Sequence, residues 1–250
     1  MDLHIVASGS SGNCYCMNHG GKYIFIDAGV PVSRVKSVCD IGVGADVRLF
    51  ITHEHTDHIV GFMPFVNRYS PVVYASEKTA DILVAKGANP DKIYVLDADC
   101  EYDMDDFSVM PFKVAHDAVE PFGYKFNFGD KIISFATDLG VVSDYVRRSL
   151  EGTQIMLLES NYEDELLKTS SYPASLKSRI ASTKGHLSNK EAHKFVAEMS
   201  LCGLKRCFLV HVSESSNDYN LLAKYAKACK DCYDVQTDVV RQRTSMLVSV

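Results

Sequence analysis

Four metal-donor side chains fall within six residues in the stretch Thr52-His53-Glu54-His55-Thr56-Asp57-His58, namely His53, His55, Asp57 and His58. Neutral imidazoles and carboxylates together suit Zn²⁺, Mn²⁺ or Fe, the ions of hydrolytic centres. The cluster directly follows the apolar run Val47-Arg48-Leu49-Phe50-Ile51, so it stands at a strand end, where a loop can curl donors around an ion. If the strand continues, His53 and His55 share a face, and Asp57 and His58 then reach a second ion. Chance clustering of surface histidines is the competing reading. The buried-type strand before the cluster and the aspartate inside it weigh against chance.

Three further donors repeat that placement. His116 follows the run Phe107–Ala115, Asp138 follows Ile132–Ala136, and His211 lies near the end of Cys207–Val212. Open α/β sheets place their sites at the C-terminal ends of strands. Each of these residues alone would read as structural. Beside the histidine cluster, all three read as ligands.

The series His53-x-His55-x-Asp57-His58, His116, Asp138, His211 resembles the metallo-β-lactamase fold across nearly the whole chain. That resemblance implies an α/β (α+β in some schemes) four-layer αβ/βα sandwich holding two divalent metal ions. It implies that His53, His55 and His116 hold one ion, that Asp57, His58 and His211 hold the other, and that Asp138 bridges them. More specific stretches are Ala7-Ser8-Gly9-Ser10-Ser11-Gly12-Asn13, His116-Asp117-Ala118, Pro121-Phe122-Gly123-Tyr124, Ala136-Thr137-Asp138-Leu139-Gly140, Tyr172-Pro173-x-x-Leu176-Lys177-x-Arg179-Ile180 and Gly185-His186-Leu187-Ser188-Asn189. They are similar to the YycJ/WalJ group of single-domain nucleases. This implies a 5′→3′ exonuclease on DNA, with RNA cleavage as a second activity. One departure is Asn161-Tyr162-Glu163, where that group is expected to carry Asn-His-Asp.

Two such ions about 3.5–4 Å apart activate a bridging hydroxide for in-line attack on phosphorus. Asp57 is the expected proton-handling carboxylate. The departing alkoxide needs a proton, and His186 is the candidate donor. It precedes the helix cap Ser188 and so stands at a helix N-terminus, where anions are favoured. Transfer-RNA 3′-processing endonucleases of the same fold have a similar Gly-His-Ser segment with an upstream glutamate, and Glu159 occupies the matching place. A capping or packing role for His186 is the alternative. For substrate, the stretch Lys168–Lys190 holds Lys168, Lys177, Arg179, Lys184 and Lys190 with no acidic residue. It reads equally as a phosphate track, with Lys177 and Arg179 as contacts, or as a solvated helix face. The Ser10–Asn13 turn offers N–H groups to a terminal phosphate, and the resemblance adds Ser11 and Asn13 as substrate-binding residues.

The elements that must position these side chains are strand-rich in the first half. Leu3–Ala7, Tyr23–Ile26, Val47–Ile51, Ile93–Leu96, Phe107–Ala115, Phe122–Phe128, Ile132–Ala136 and Ile155–Leu158 read as strands bounded by turn residues. Ser76 is placed to cap a helix through Ile82 and Leu83 that stops at Gly87. The final third reads as helices with one strand, Cys207–Val212. Ser188-Asn189-Lys190-Glu191 is a capping box ahead of the stripe Ala192, Phe195, Val196 and Met199. Tyr219, Leu222, Ala223 and Ala226 mark a second helix. The six carboxylates between Asp97 and Asp106 lack a calcium-loop spacing and read as a solvated hairpin.

With 250 residues, a net charge of −6 and 46% hydrophobic residues, the chain is globular and reads as one domain over residues 1–250. No apolar stretch spans a bilayer, and no signal peptide is visible at Met1-Asp2-Leu3-His4. Eight cysteines without an export signal fit reduced thiols in the cytoplasm. Cys229-x-x-Cys232 is an isolated pair with no second pair to complete a zinc site. Cys14 and Cys16 alternate on a strand and read as buried. His4, His19 and His193 read as strand, turn and helix-surface residues. Asp27 reads as an outer partner of a metal ligand. The partner implied is nucleic acid, with no membrane; oligomeric state is not encoded in these patterns. The rivals are a thioester or lactone hydrolase on the same metals, a flavodiiron-type oxidoreductase, and a binding module without catalysis. The imidazole at His55, where flavodiiron sites resemble a glutamate, favours hydrolysis.

Overall fold

The apolar runs before the candidate donors become strands in a computed structural model that describes all 250 residues. The chain forms two compact units whose segments interleave. Met1–Asp97, Ala118–Phe122 and Gln242–Val250 make the first; Ala98–Asp117 and Gly123–Arg241 make the second.

The first unit holds β1 (Asp2–Ala7), β2 (Cys14–His19), β3 (Lys22–Ile26), α1 (Val32–Val38), β4 (Val47–Phe50), α2 (Thr56–Ile59), α3 (Phe62–Tyr69), β5 (Val72–Ala75), α4 (Glu77–Ala85) and β6 (Ile93–Val95). The second holds β7 (Tyr102–Asp103), β8 (Ser108–Lys113), β9 (Phe122–Asn127), β10 (Ile132–Ala136), α5 (Asp144–Leu150), β11 (Ile155–Glu159), α6 (Asp164–Thr169), α7 (Ala174–Ile180), α8 (Asn189–Ser200), β12 (Arg206–Val210), α9 (Tyr219–Tyr233) and β13 (Gln236–Val239). A final strand, β14 (Met246–Ser249), returns to the first sheet beside β1.

Each unit has one seven-stranded sheet, in the orders β14-β1-β2-β3-β4-β5-β6 and β13-β12-β11-β10-β9-β8-β7. β3 through β6 run parallel, as do β10 through β13, and helices form the crossovers that parallel strands require. The central strands are largely apolar because both faces are covered; all five residues of β11, its terminal Glu159 included, are buried. Phe25, Leu49, Phe62, Phe65 and Leu83 anchor the first unit's core, with Phe25 and Phe65 in edge contact at 4.8 Å. Phe112, Leu158, Phe195, Val196, Met199 and Leu222 anchor the second.

The α/β class matches the expectation, and every predicted strand is present within a few residues. Ser188 does cap α8, its Oγ accepting from Glu191 N at 3.3 Å. Several elements differ. α1, α2 and α3 interrupt the strand-rich first half. The final third holds three strands rather than one; β13 and β14 are four residues each and partly exposed. Ser76 sits at the N-cap of α4, but its hydroxyl donates to Thr79 Oγ1 and to the Glu120 carbonyl. Ala223 faces outward on α9 while Leu222, Ala226 and Cys229 are buried. No helix is long and apolar enough to cross a membrane.

Candidate metal centre

The first unit gathers four of the expected ligands beyond the end of β4. That strand stops at Phe50, so His53 and His55 lie in a loop rather than on a continued strand. Their rings still meet, with centroids 4.7 Å apart, and His53 lies 4.1 Å from His58. The single turn α2 carries Asp57 and His58. Asp27, the residue after β3, organises this loop from beneath. It is fully buried, and its carboxylate accepts from Thr52 N at 2.8 Å, from the Thr52 hydroxyl, and from His58 Nδ1 at 2.7 Å. Burial pushes the Asp27 carboxyl up, while His58 and Thr52 oppose that. Because Asp27 takes the Nδ1 hydrogen, Nε2 of His58 carries the lone pair, the donor form a metal ligand needs. Gly29 lets the loop after Asp27 pass close to the cluster; a Cβ there would lie 1.7 Å from the Asp57 carbonyl.

The second unit arranges its donors around one carboxylate. Glu159, the last residue of β11, is fully buried. Its Oε1 accepts from His186 Nδ1 at 2.8 Å and His211 Nδ1 at 2.7 Å. Its Oε2 accepts from the backbone N–H groups of Leu139 at 2.9 Å and Leu187 at 3.0 Å. One side chain therefore fixes the loops after β10 and β12 and the approach to α8. Burial alone would raise the Glu159 carboxyl; the two imidazoles outweigh it and hold it below the usual range. Burial likewise works against charge on His186, but Glu159 and Asp138 keep that imidazole above its ordinary value. Asp138, Glu159, His186 and His211 each offer a donor atom within 4.8 Å of the others. His116 directs Nδ1 to the Gly185 carbonyl at 3.0 Å, which again leaves Nε2 as the donor, 3.6 Å from Asp138 Oδ1. Burial lowers the His116 pKa and favours the neutral ring.

The chemistry of both donor sets fits divalent metal ions. Every donor is an imidazole nitrogen or a carboxylate oxygen. The Nδ1 atoms of His58, His116 and His211 are oriented by carboxylates or a carbonyl, the arrangement that holds ligands in place. Three site residues also take left-handed backbone: Asp27 at φ 62°, Asp138 at 53° and His211 at 54°. Such conformations cost about 1–3 kcal/mol each and persist where surrounding contacts enforce them.

The expected substrate contacts fare differently. Ser11 is exposed in its turn, but Asn13 is fully buried, with its amide toward Asp57 and His58 rather than toward solvent. Arg179 holds Asp117 through Nε and Nη2, the latter at 3.0 Å, and Lys177 donates to the Lys168 carbonyl. Tyr162, at the position where a histidine was expected, packs with Leu167 and Ile180; burial pushes its hydroxyl up to about 12. Two contributors escaped sequence reasoning. Thr52 bonds Asp27, and Asn161 donates to the His211 carbonyl at 2.8 Å, supporting its left-handed backbone. The position of Asn161 two residues after Glu159 was the one available signal for it.

Parallel strand ends that carry oriented histidines and aspartates define a metal-dependent hydrolase. The family model described as the β-lactamase superfamily domain matches residues 41–212, and the chain belongs to that superfamily, with its metallo-β-lactamase fold. It is 31% identical over 224 residues to the exodeoxyribonuclease YycJ of Bacillus anthracis, covering 87% of this chain and 85% of that one. It is 32% identical over 226 residues to the exodeoxyribonuclease WalJ of Streptococcus pneumoniae, covering 85% and 82%. Among solved structures it is similar to the metallo-β-lactamase fold protein YhfI from Bacillus subtilis, at TM-score 0.74 and 14% identity over 99% of this chain and 98% of that one.

Proposed function

We propose that this chain is a dinuclear-metal phosphodiesterase, a cytoplasmic 5′→3′ exonuclease that degrades DNA and accepts RNA, working as one domain over residues 1–250. The observation that carries this reading is Glu159 Oε1, which holds His186 and His211 together. It couples a proton-bearing imidazole to a ligand-type histidine, a pairing that phosphodiester cleavage uses and thioester or lactone hydrolysis does not need. The exodeoxyribonuclease names of the two relatives support the same substrate class.

In this reading His53, His55 and His116 would hold one ion, Asp57, His58 and His211 would hold the second, and Asp138 would be shared; Zn²⁺ or Mn²⁺ suits these donors, with Fe as a third option. The ions supply a nucleophile of lowered pKa and charge compensation on the phosphoryl oxygens. Asp57 takes the proton of the attacking water. His186, kept protonated by Glu159, gives its proton to the leaving alkoxide as the phosphorus–oxygen bond breaks. Arg179, held beside His116 by Asp117, and Lys177 contact the phosphate backbone, and Ser11 the terminal phosphate.

The test is a time course on single- and double-stranded DNA and RNA labelled separately at each end, with Zn²⁺ and Mn²⁺ in parallel and Asp57→Ala as control. Stepwise loss from the 5′ end by wild type alone is expected. His186→Ala should lose rate yet keep its ions. Absence of cleavage by a chain with two bound ions refutes the proposal and moves the small-ester hydrolase to first place.

A further inference from the structure

Asn13 is fully buried, and its orientation is fixed. Gly9 N donates to Oδ1 at 2.9 Å, so Oδ1 and Nδ2 cannot be exchanged. Tyr15 adds a donor to the same Oδ1, and the Ser8 hydroxyl in turn meets Tyr15 at 3.0 Å. The main chain is tied as well: Asn13 N–H donates to the Asp57 carbonyl at 2.8 Å, and its own carbonyl accepts from Gly29 N. The two Nδ2 hydrogens are thereby aimed at three acceptors. These are the Gly9 carbonyl at 3.2 Å, Asp57 Oδ2 at 3.3 Å and His58 Nε2 at 3.1 Å. With Nδ1–H of His58 donating to the Asp27 carboxylate at 2.7 Å, Nε2 is left as the acceptor. The lone pair that would bind a cation is the one receiving the Asn13 amide.

We propose that Asn13 is a positioning residue that occupies the coordination positions of His58 and Asp57 until a divalent cation takes both. The inference rests on the two-ion reading above. The amide pre-aligns both donors in the metal-free chain and withdraws its hydrogen from Nε2 when the cation arrives. Ion binding at this position therefore competes with a hydrogen bond that no solvent molecule supplies. An asparagine kept only to close the Gly9–Asn13 turn would not respond to metal.

The experiment titrates Zn²⁺ into the metal-free, ¹⁵N-labelled full chain and follows the Asn13 side-chain amide by NMR. In the metal-free chain its hydrogens should exchange slowly with solvent. On filling of the second equivalent, the resonance should shift and the protection should fall at least about tenfold, a loss on the scale of an outer partner's influence on metal binding. Calorimetric titration of Asn13→Asp gives an independent arm. A carboxylate at this position repels Asp57 without metal and adds a donor with it. The variant should melt below wild type when metal-free and, with one more charged oxygen donor, bind the second Zn²⁺ at least about tenfold more tightly. If wild type binds two ions and the Asn13 resonance stays in place, the inference fails while the two-ion reading stands. Equal or weaker affinity in a folded Asn13→Asp also overturns it. Should wild type bind fewer than two ions, both fall together. The NMR arm decides alone if the variant does not fold.

Discussion

Glu159→Gln preserves shape while removing one oxygen from a carboxylate that accepts four hydrogen bonds in a fully buried position. The glutamine amide must face one pair of donors or the other. Facing Leu139 and Leu187, it strands two buried backbone N–H groups, at about 1–3 kcal/mol each. Facing the imidazoles instead, it removes the charge that keeps His186 protonated against burial. Either orientation points to a loss of about 4 kcal/mol, in line with about 3–5 kcal/mol for breaking a buried ion pair. Urea unfolding of the metal-free protein, followed by circular dichroism, gives the difference if the denaturant slope is unchanged. The same variant should shed His186's proton at lower pH, readable from its ring resonances. A loss under about 1 kcal/mol would refute the idea that this carboxylate holds the loops after β10 and β12.

The contribution of the Glu159–His186 pair to the stability of the metal-free protein should be largest in a mildly acid window. Glu159 has a lowered pKa, so its contribution is present above the ordinary carboxylate value and disappears as pH falls through the folded one; His186 has a raised pKa, so its share is present below the ordinary imidazole value and disappears as pH rises through the folded one. The difference in melting temperature between wild type and His186→Ala should be largest at about pH 4.5–6.5 and shrink on the alkaline side; a difference that does not change with pH would count against the pair. Gly29→Ala should lower stability by about 3 kcal/mol, read by thermal melting, because its Cβ meets the Asp57 carbonyl at 1.7 Å. In a thiol-reagent assay, Cys100, Cys202 and Cys232 should react promptly, and the remaining five only on unfolding. A fourth fast thiol would show that one of the two cores opens readily.

The candidate donors stand out in the sequence because their types are rare together and each set follows an apolar run. β4, β10 and β12 announce themselves through their apolar runs, and the candidate donors come after their ends. The pairing of His186 with Glu159 was anticipated from the resemblance and is present as a hydrogen bond. What escaped depends on contacts distant in sequence. Asn13 reads as a substrate contact through the resemblance; its burial comes with the hydrogen bonds it makes to Asp57 and His58, more than forty positions away. α1 begins after Pro31 with no polar cap, and α2 is one turn long, so neither carries a periodic stripe. Arg179 stood out as a cation in a basic stretch, and only the fold reveals that Asp117 already holds it. Asp27 was foreseen as an outer partner, but nothing in its neighbours indicated that Thr52 would share it.

The left-handed turns at Asp27, Asp138 and His211 bear on anyone who would transplant this chemistry. A donor scaffold with regular strand ends would carry the same side chains out along the strand direction and disperse them. What must be copied is a set of three backbone kinks, each disfavoured for residues with a Cβ, together with Thr52, Asn161 and Glu159, which hold them. Saturation mutagenesis should reflect this. Glycine at Asp27 should keep the loop path while losing the bond to His58, asparagine should keep the path with one acceptor oxygen left to share between His58 and Thr52, and valine or isoleucine should lose both. In that sense the heritable unit of each donor set is a path of main chain, and the side chains are its passengers.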